Sequence, residues 1–212
     1  MAAITRGRKL RWAIPELEGS WPWVAVALDL GLRLAILVFA ADTWLNPDDE
    51  RYEGKNLGGR SIFILVLSLL FPFFYLARKE WPRYPVWWDV LYLSVFAIDM
   101  AGNYFGIYLT NIHFDHIPHF HGPGALAIVL AAAFGFGPVA AAGLSTILHT
   151  GLEVNEFYSD VYAGTNNVRD LFDSMNDLTA GLLGVGIYLV LYYRLRHVVD
   201  LRKAARPRRR RH

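Results

Sequence analysis

The chain has 212 residues, 54% of them apolar, a formal net charge of +2 and no cysteine. The missing thiols exclude disulfides, thiolate catalysis and cysteine-ligated zinc or iron–sulfur centres. Several apolar runs approach the roughly 20 residues that cross a bilayer as a helix, which excludes an ordinary soluble domain and predicts an all-α, polytopic integral membrane protein.

Residues 1–20 form a basic leader with "TRGRKLR" in it. No small-residue cleavage site follows the first apolar run, so that run is expected to stay as an anchor. The first span is expected over about Trp21–Leu45, followed by the acidic loop "NPDDERYEGKNLGGR". "SIFILVLSLLFPFFYLA" reads as the second span, "RKEWPRYP" as a basic loop, and "VWWDVLYLSVFAIDMAGNYFGIYL" as the third span. The next apolar run, "GALAIVLAAAFGFGPVAAAGLSTIL", carries turn chemistry at Gly135–Pro138 and divides there into two short helices. A last span lies between about Asp170 and Tyr193, and residues 195–212 form a basic tail.

Excess lysine and arginine stays on the cytoplasmic side, so two basic ends require an even number of spans. Six transmembrane helices, N-in and C-in, follow, with Arg78, Lys79 and Arg83 inside and the acidic loop outside. Residues 21–194 then make one transmembrane domain, with the candidate site in residues 110–190. Trp21, Trp23, Trp44, Trp81, Trp87 and Trp88 fall at expected span ends, where amphipathic rings anchor at the interface. The basic tail reads as a topology anchor beside anionic lipid, with no nucleic-acid role.

This topology sends one set of polar residues to the extracytoplasmic face. The stretch "NIHFDHIPHFHGPG" packs four histidines and Asp115 where the fourth span begins. His119 follows Asp115 by four residues, so the two share a helix face; His113, His116 and His121 read as loop or interface residues. At the end of the fifth span His149, Glu153 and Glu156 are spaced four and three, and in the sixth Asp170, Asp173 and Asp177 are spaced three and four. Each set shares one helix face, and the second continues into Gly181 and Gly184, which let a neighbouring helix pack closely. At 1.5 Å per residue Asp177 lies about 10 Å deeper than Asp170, in the apolar layer, where an ionisable group is costly and marks function.

Carboxylates gathered this way cannot all stay ionised uncompensated; they share protons or they bind cations. Mixed histidine and carboxylate ligands suit Zn, Mn or Fe, with Mg the weaker fit. The candidate metal ligands are therefore Asp115, His119, Glu153, Asp170, Asp173 and Asp177, with Glu156 or His149 as the general base.

"FDHIPHF", "LEVNEF" and "RDLFDSMND" together resemble the YjdF-like family of bacterial inner-membrane proteins, over roughly residues 85–190. The resemblance implies a multi-pass protein of the bacterial cytoplasmic (inner) membrane with an Asp-x-x-x-His-Phe element, a Glu-x-x-Glu element and an Asp-x-x-Asp-x-x-x-Asp element. Asp115, His119, Glu153, Glu156, Asp170, Asp173 and Asp177 match these in order and spacing. The chain departs from the pattern at Arg169, where the family has glycine, and at Phe157, where it has tryptophan. A more distant likeness is to VanZ-like membrane proteins, which share a similar helix order and an Asp-x-x-x-His start to a span.

Three functions compete. The first is a metal-dependent hydrolase acting on a lipid or envelope-linked substrate. The second is a Mg-dependent lipid diphosphate enzyme, for which the chain has a single aspartate motif and the opposite membrane face. The third is a proton-coupled transporter, or an accessory subunit of a membrane assembly; with six spans a transporter is expected to be a homo-oligomer. Asp29 and Arg33 in the first span, and Asp99 and Asn103 in the third, are each four apart near mid-bilayer, and an Arg33 pair with Asp29 or Asp99 would join those spans.

Overall fold

The computed structural model describes residues 23–81 and 84–205, apart from the side chains of Leu171 and 199–205. The basic leader, Trp21, Arg83 and the end of the basic tail lie outside the described residues. All regular structure among the described residues is helical: α1 Trp23–Leu45, α2 Leu57–Ser68, α3 Leu70–Ala77, α4 Val86–Tyr104, α5 Ile107–Thr110, α6 His116–Ala132, α7 Pro138–Ala163 and α8 Leu171–Ala205. A 3-10 turn, Ile112–Asp115, leads into α6.

Three stretches are long and apolar enough to cross a membrane: Trp23–Leu45, Leu57–Ala77 and Phe172–Val198, with mean hydropathy of 2.2, 2.0 and 1.5. The exterior is apolar, with Leu30, Leu34, Phe73, Val139, Ile147 and Leu182 all exposed, whereas Asp29, Asp89, Ser145, His149, Glu153, Asp173 and Asp177 are buried. That arrangement inverts the habit of a water-soluble protein and suits hydrocarbon outside.

Turn residues set the ends of the helices. Gly135 (φ 79°) breaks the chain between α6 and α7, and Pro138 opens α7 at a position where its missing N–H costs nothing. The third apolar run does not stay one helix. It stops at Tyr104, turns through Gly106 (φ 64°), and lays α5 and the 3-10 turn across the end of the bundle. Three connections meet at that end: Asn166 N–H donates to Gly54 O (2.7 Å), and the Arg51 and Arg169 guanidiniums bond the carbonyls of Tyr104 and Ile112. At the opposite end the ring of Phe134, in the α6–α7 turn, packs 5.1 Å from that of Phe74 in α3.

Apolar packing falls into three contiguous clusters. Ala127, Leu130, Ala141, Val185 and Leu189 join α6, α7 and α8. Ala25, Phe71, Tyr75, Tyr92 and Val129 join α1, α3, α4 and α6, and Ile36, Ala40, Ile64, Leu93 and Ala97 join α1, α2 and α4.

One polar knot sits among these clusters. Pro72 has no N–H to give the carbonyl of Ser68, four residues back, so the helix breaks at Leu69 and that carbonyl is left free. Arg33 fills the gap: its guanidinium bonds Ser68 O, Asp89, Asp29 (3.2 Å) and Tyr84 Oη (3.2 Å). The Tyr84 hydroxyl in turn donates to Asp89, which is wholly buried. Arg33 therefore pairs with Asp29 and Asp89, while Asp99 pairs elsewhere. Removing one partner of such a buried pair costs about 3–5 kcal/mol, because the other charge is left uncompensated. Arg33→Leu is expected to lower unfolding stability in detergent by about that amount. Asp29→Asn, which spares the Arg33–Asp89 pair, is expected to cost less than half as much in the same denaturant titration.

Candidate metal centre

The cluster forms where the start of α6, the C-terminal half of α7 and the start of α8 converge. Close helix contact makes this possible. At Gly184 a Cβ would collide with the carbonyl of Phe120, and at Gly124 it would meet Gly184 O at 2.9 Å and Tyr188 Cγ at 2.8 Å. At Gly181 it would run into the imidazole of His149. Glycine at 124 and 184 thus brings the α6 and α8 backbones together, and glycine at 181 makes room for the histidine. Pro123 adds to the effect: lacking an N–H, it leaves the helix bond to the His119 carbonyl unmade.

His119 is the centre of the cluster. Its Nδ1 lies 2.9 Å from Glu153 Oε1 and 3.1 Å from His149 Nε2, and His149 Nε2 lies 3.4 Å from the same Glu153 oxygen. Its Nε2 faces the other way, 3.4 Å from Asp115 Oδ1 and 3.9 Å from Asp177 Oδ2. His119, His149 and Glu153 therefore form one group able to hold a metal ion, and Asp115, His119 and Asp177 form another. His149, Glu153 and Asp177 are 7%, 5% and 4% exposed. Glu153 Oε1 and Asp177 Oδ1 are buried oxygens without a hydrogen-bond partner. The Glu153 contact to His119 is short, but it is not aligned as a hydrogen bond. Orphaned buried oxygens of this kind cost free energy and call for a cation or a proton.

The remaining acids are placed differently. Asp173 is buried beside Arg169: its Oδ2 accepts the Arg169 N–H (3.0 Å), and its Oδ1 bonds the guanidinium. The same guanidinium holds Asp115 Oδ2 at 3.0 Å. Burial pushes the Asp115 carboxyl up, but the neighbouring His119 imidazole and the Arg169 charge hold it below the usual carboxylate range. Asp170 is exposed and caps α8 by accepting the Asp173 N–H (3.0 Å). Glu156 faces Arg60, which bridges Glu156 Oε1 (3.0 Å) and Asp99 Oδ2 (3.2 Å). Asp99 also accepts from the Tyr108 hydroxyl (2.9 Å). Lys55 donates to Asn103 (2.9 Å) and lies over the Tyr108 ring; burial lowers its pKa, against the pull of Asp99 and Asp115.

The other histidines divide by their partners. His121 is satisfied on both nitrogens, by Ser94 Oγ (2.8 Å) and Tyr188 Oη (2.7 Å), and so ties α4, α6 and α8 together. His116 Nδ1 comes within 3.6 Å of Asp177, and His113 is exposed. Sequence reasoning missed Arg60, Tyr108, Ser94, Tyr188 and Asp89. Spacing signals pairs on one helix, whereas each of these works across helices. A basic residue at the start of an apolar run, as Arg60 is, was the one available hint.

No protein-family model, no curated protein and no solved structure matches the chain. The reading of the site accordingly stands on its geometry. If the α6–α8 contact positions it, Gly184→Ala is expected to cost about 1–3 kcal/mol through overpacking. Gly186, two residues on, has open space around a Cβ, and Gly186→Ala is expected to be neutral or slightly stabilising in the same unfolding assay.

Proposed function

We propose that the protein crosses a bacterial cytoplasmic membrane six times, both termini inside, and binds a divalent metal near the extracytoplasmic surface through His119, His149 and Glu153. The three most apolar stretches, α1, α2–α3 and α8, support the membrane reading. Helices α4, α6 and α7 supply the other crossings; the polar residues that lower their hydropathy are those turned into the bundle, such as Asp89, Asn103, His149 and Glu153. The acidic loop after α1 then lies outside, beside the cluster.

One observation carries the metal reading. His119 Nδ1, His149 Nε2 and Glu153 Oε1 form a triangle with sides of 2.9, 3.1 and 3.4 Å. Ligand atoms bound about 2.0–2.2 Å from one ion stand about 3–3.5 Å apart. A metal on this set would require the ring protons on the opposite nitrogens, Nε2 of His119 and Nδ1 of His149. Two imidazoles and a carboxylate favour Zn2+, with Mn2+ or Fe2+ accepted by the same set.

The chemistry that fits is hydrolysis of a lipid or envelope-linked ester, to which a bound ion contributes Lewis-acid polarisation of a substrate oxygen. His149 and Glu153 serve as ligands. Glu156, one helical turn beyond Glu153 and oriented by Arg60, accepts the proton from the attacking water.

Elemental analysis of the detergent-purified protein tests the metal site. Wild type is expected to carry Zn, Mn or Fe in at least equimolar amount, falling tenfold or more in His149→Ala and Glu153→Gln and unchanged in Asp170→Asn. Wild type without metal after soaking in Zn2+, Mn2+ and Fe2+ would remove the proposal. For topology, a periplasm-dependent phosphatase fused after Glu50 is expected to be active, and the same reporter after His212 inactive.

A further inference from the structure

We infer that the cluster holds a second divalent cation, on Asp115, Asp177 and the Nε2 atom of His119, so that one imidazole bridges two ions. The inference rests on the metal site proposed above and extends it.

The two nitrogens of His119 serve separate triads. Nδ1 faces His149 and Glu153, while Nε2 faces Asp115 Oδ1 at 3.4 Å and Asp177 Oδ2 at 3.9 Å. Neither carboxylate contact is a good hydrogen bond, since N–H···O bonds close at about 2.7–3.2 Å. A single Nε2 proton aimed at one oxygen would in any case leave the other bare. Asp177 is 4% exposed, its Oδ1 has no hydrogen-bond partner, and the 3.6 Å to His116 Nδ1 is too long to supply one. Asp115 is committed through Oδ2 to Arg169, which leaves Oδ1 directed at His119.

Charge points the same way. Arg169 is shared between Asp115 and Asp173, so it cannot neutralise Asp177 as well. An ion on the first triad meets one negative charge there, that of Glu153, and lies on the far side of the imidazole from both aspartates. Two carboxylates whose oxygens lie within 4.8 Å of each other, one of them buried, retain a negative charge that a cation between them removes.

The two triads also differ in size and hardness. The second has sides of 3.4 and 3.9 Å with all its atoms within 4.8 Å, wider than the first, and two of its three ligands are carboxylates. Longer bonds and oxygen-rich ligation suit Mn2+ better than Zn2+. Binding of a second ion would require His119 to give up its Nε2 proton to solvent, so that the ring serves both sites.

The test loads the purified full-length protein with one equivalent of Zn2+, removes the excess, and titrates Mn2+ while the six-line signal of free Mn2+ is followed by electron paramagnetic resonance. Zinc-loaded wild type is expected to bind one Mn2+ per chain. Asp115→Asn, at the rim of the cluster, is expected to weaken that binding at least tenfold while keeping its zinc. Asp177→Asn provides a second variant should Asp115→Asn not fold, and His119→Ala is expected to lose both ions. Wild type that holds zinc but binds Mn2+ no better than Asp115→Asn overturns the second site and leaves the first standing. Wild type that holds no zinc overturns both.

Discussion

Where Phe120 presents its carbonyl to the Cα of Gly184, α6 and α8 lie closer than any pair of residues bearing a Cβ would permit. This contact governs the geometry around it. It sets His119 on α6 against Asp177 on α8, and Gly181, one turn earlier, opens the space that the His149 ring fills from α7. In a membrane the hydrophobic effect does not drive helices together, so close van der Waals packing across small residues must do it. The polar cluster thus depends on a backbone contact that carries no charge.

Electrostatics then divides this end of the bundle into two compartments. Arg60 and Tyr108 take up Asp99, and Arg60 also holds one oxygen of Glu156, linking α2, α4 and α7 in a network beside the cluster. Arg169 does the same for Asp173 and for one oxygen of Asp115. His119, His149, Glu153 and Asp177 remain, with two buried carboxylate oxygens unpartnered between them. Paired acids thus surround a group of side chains that could hold a metal ion, an arrangement in which neighbours orient ligands.

Towards the other end of the bundle lies the Arg33 knot, and its origin is steric. Pro72 frees a carbonyl in a segment apolar enough to cross a membrane, and a free carbonyl in such surroundings must find a donor. Arg33 supplies it together with charges for Asp29 and Asp89, so that a helix break, a guanidinium and two acids are stabilised as one unit across α1, α2 and α4.

Much was legible in the sequence because it depends on local spacing. Apolar run length gave the helical, membrane-capable character, Gly135–Pro138 gave the division between α6 and α7, and the period of the helix put His149 with Glu153 and Asp115 with His119 on common faces. The acids could not be sorted that way. Asp170, Asp173 and Asp177 share a stripe, yet one caps a helix, one pairs with Arg169 and one enters the cluster, because depth and cross-helix neighbours differ along the stripe. Arg33 likewise chose Asp89 over Asp99, a matter of how α1 and α4 are set against each other. The sequence by itself determined which residues share a helix face, since that follows from 3.6 residues per turn. Tertiary structure alone decided which faces meet, since that follows from where glycines let two backbones touch.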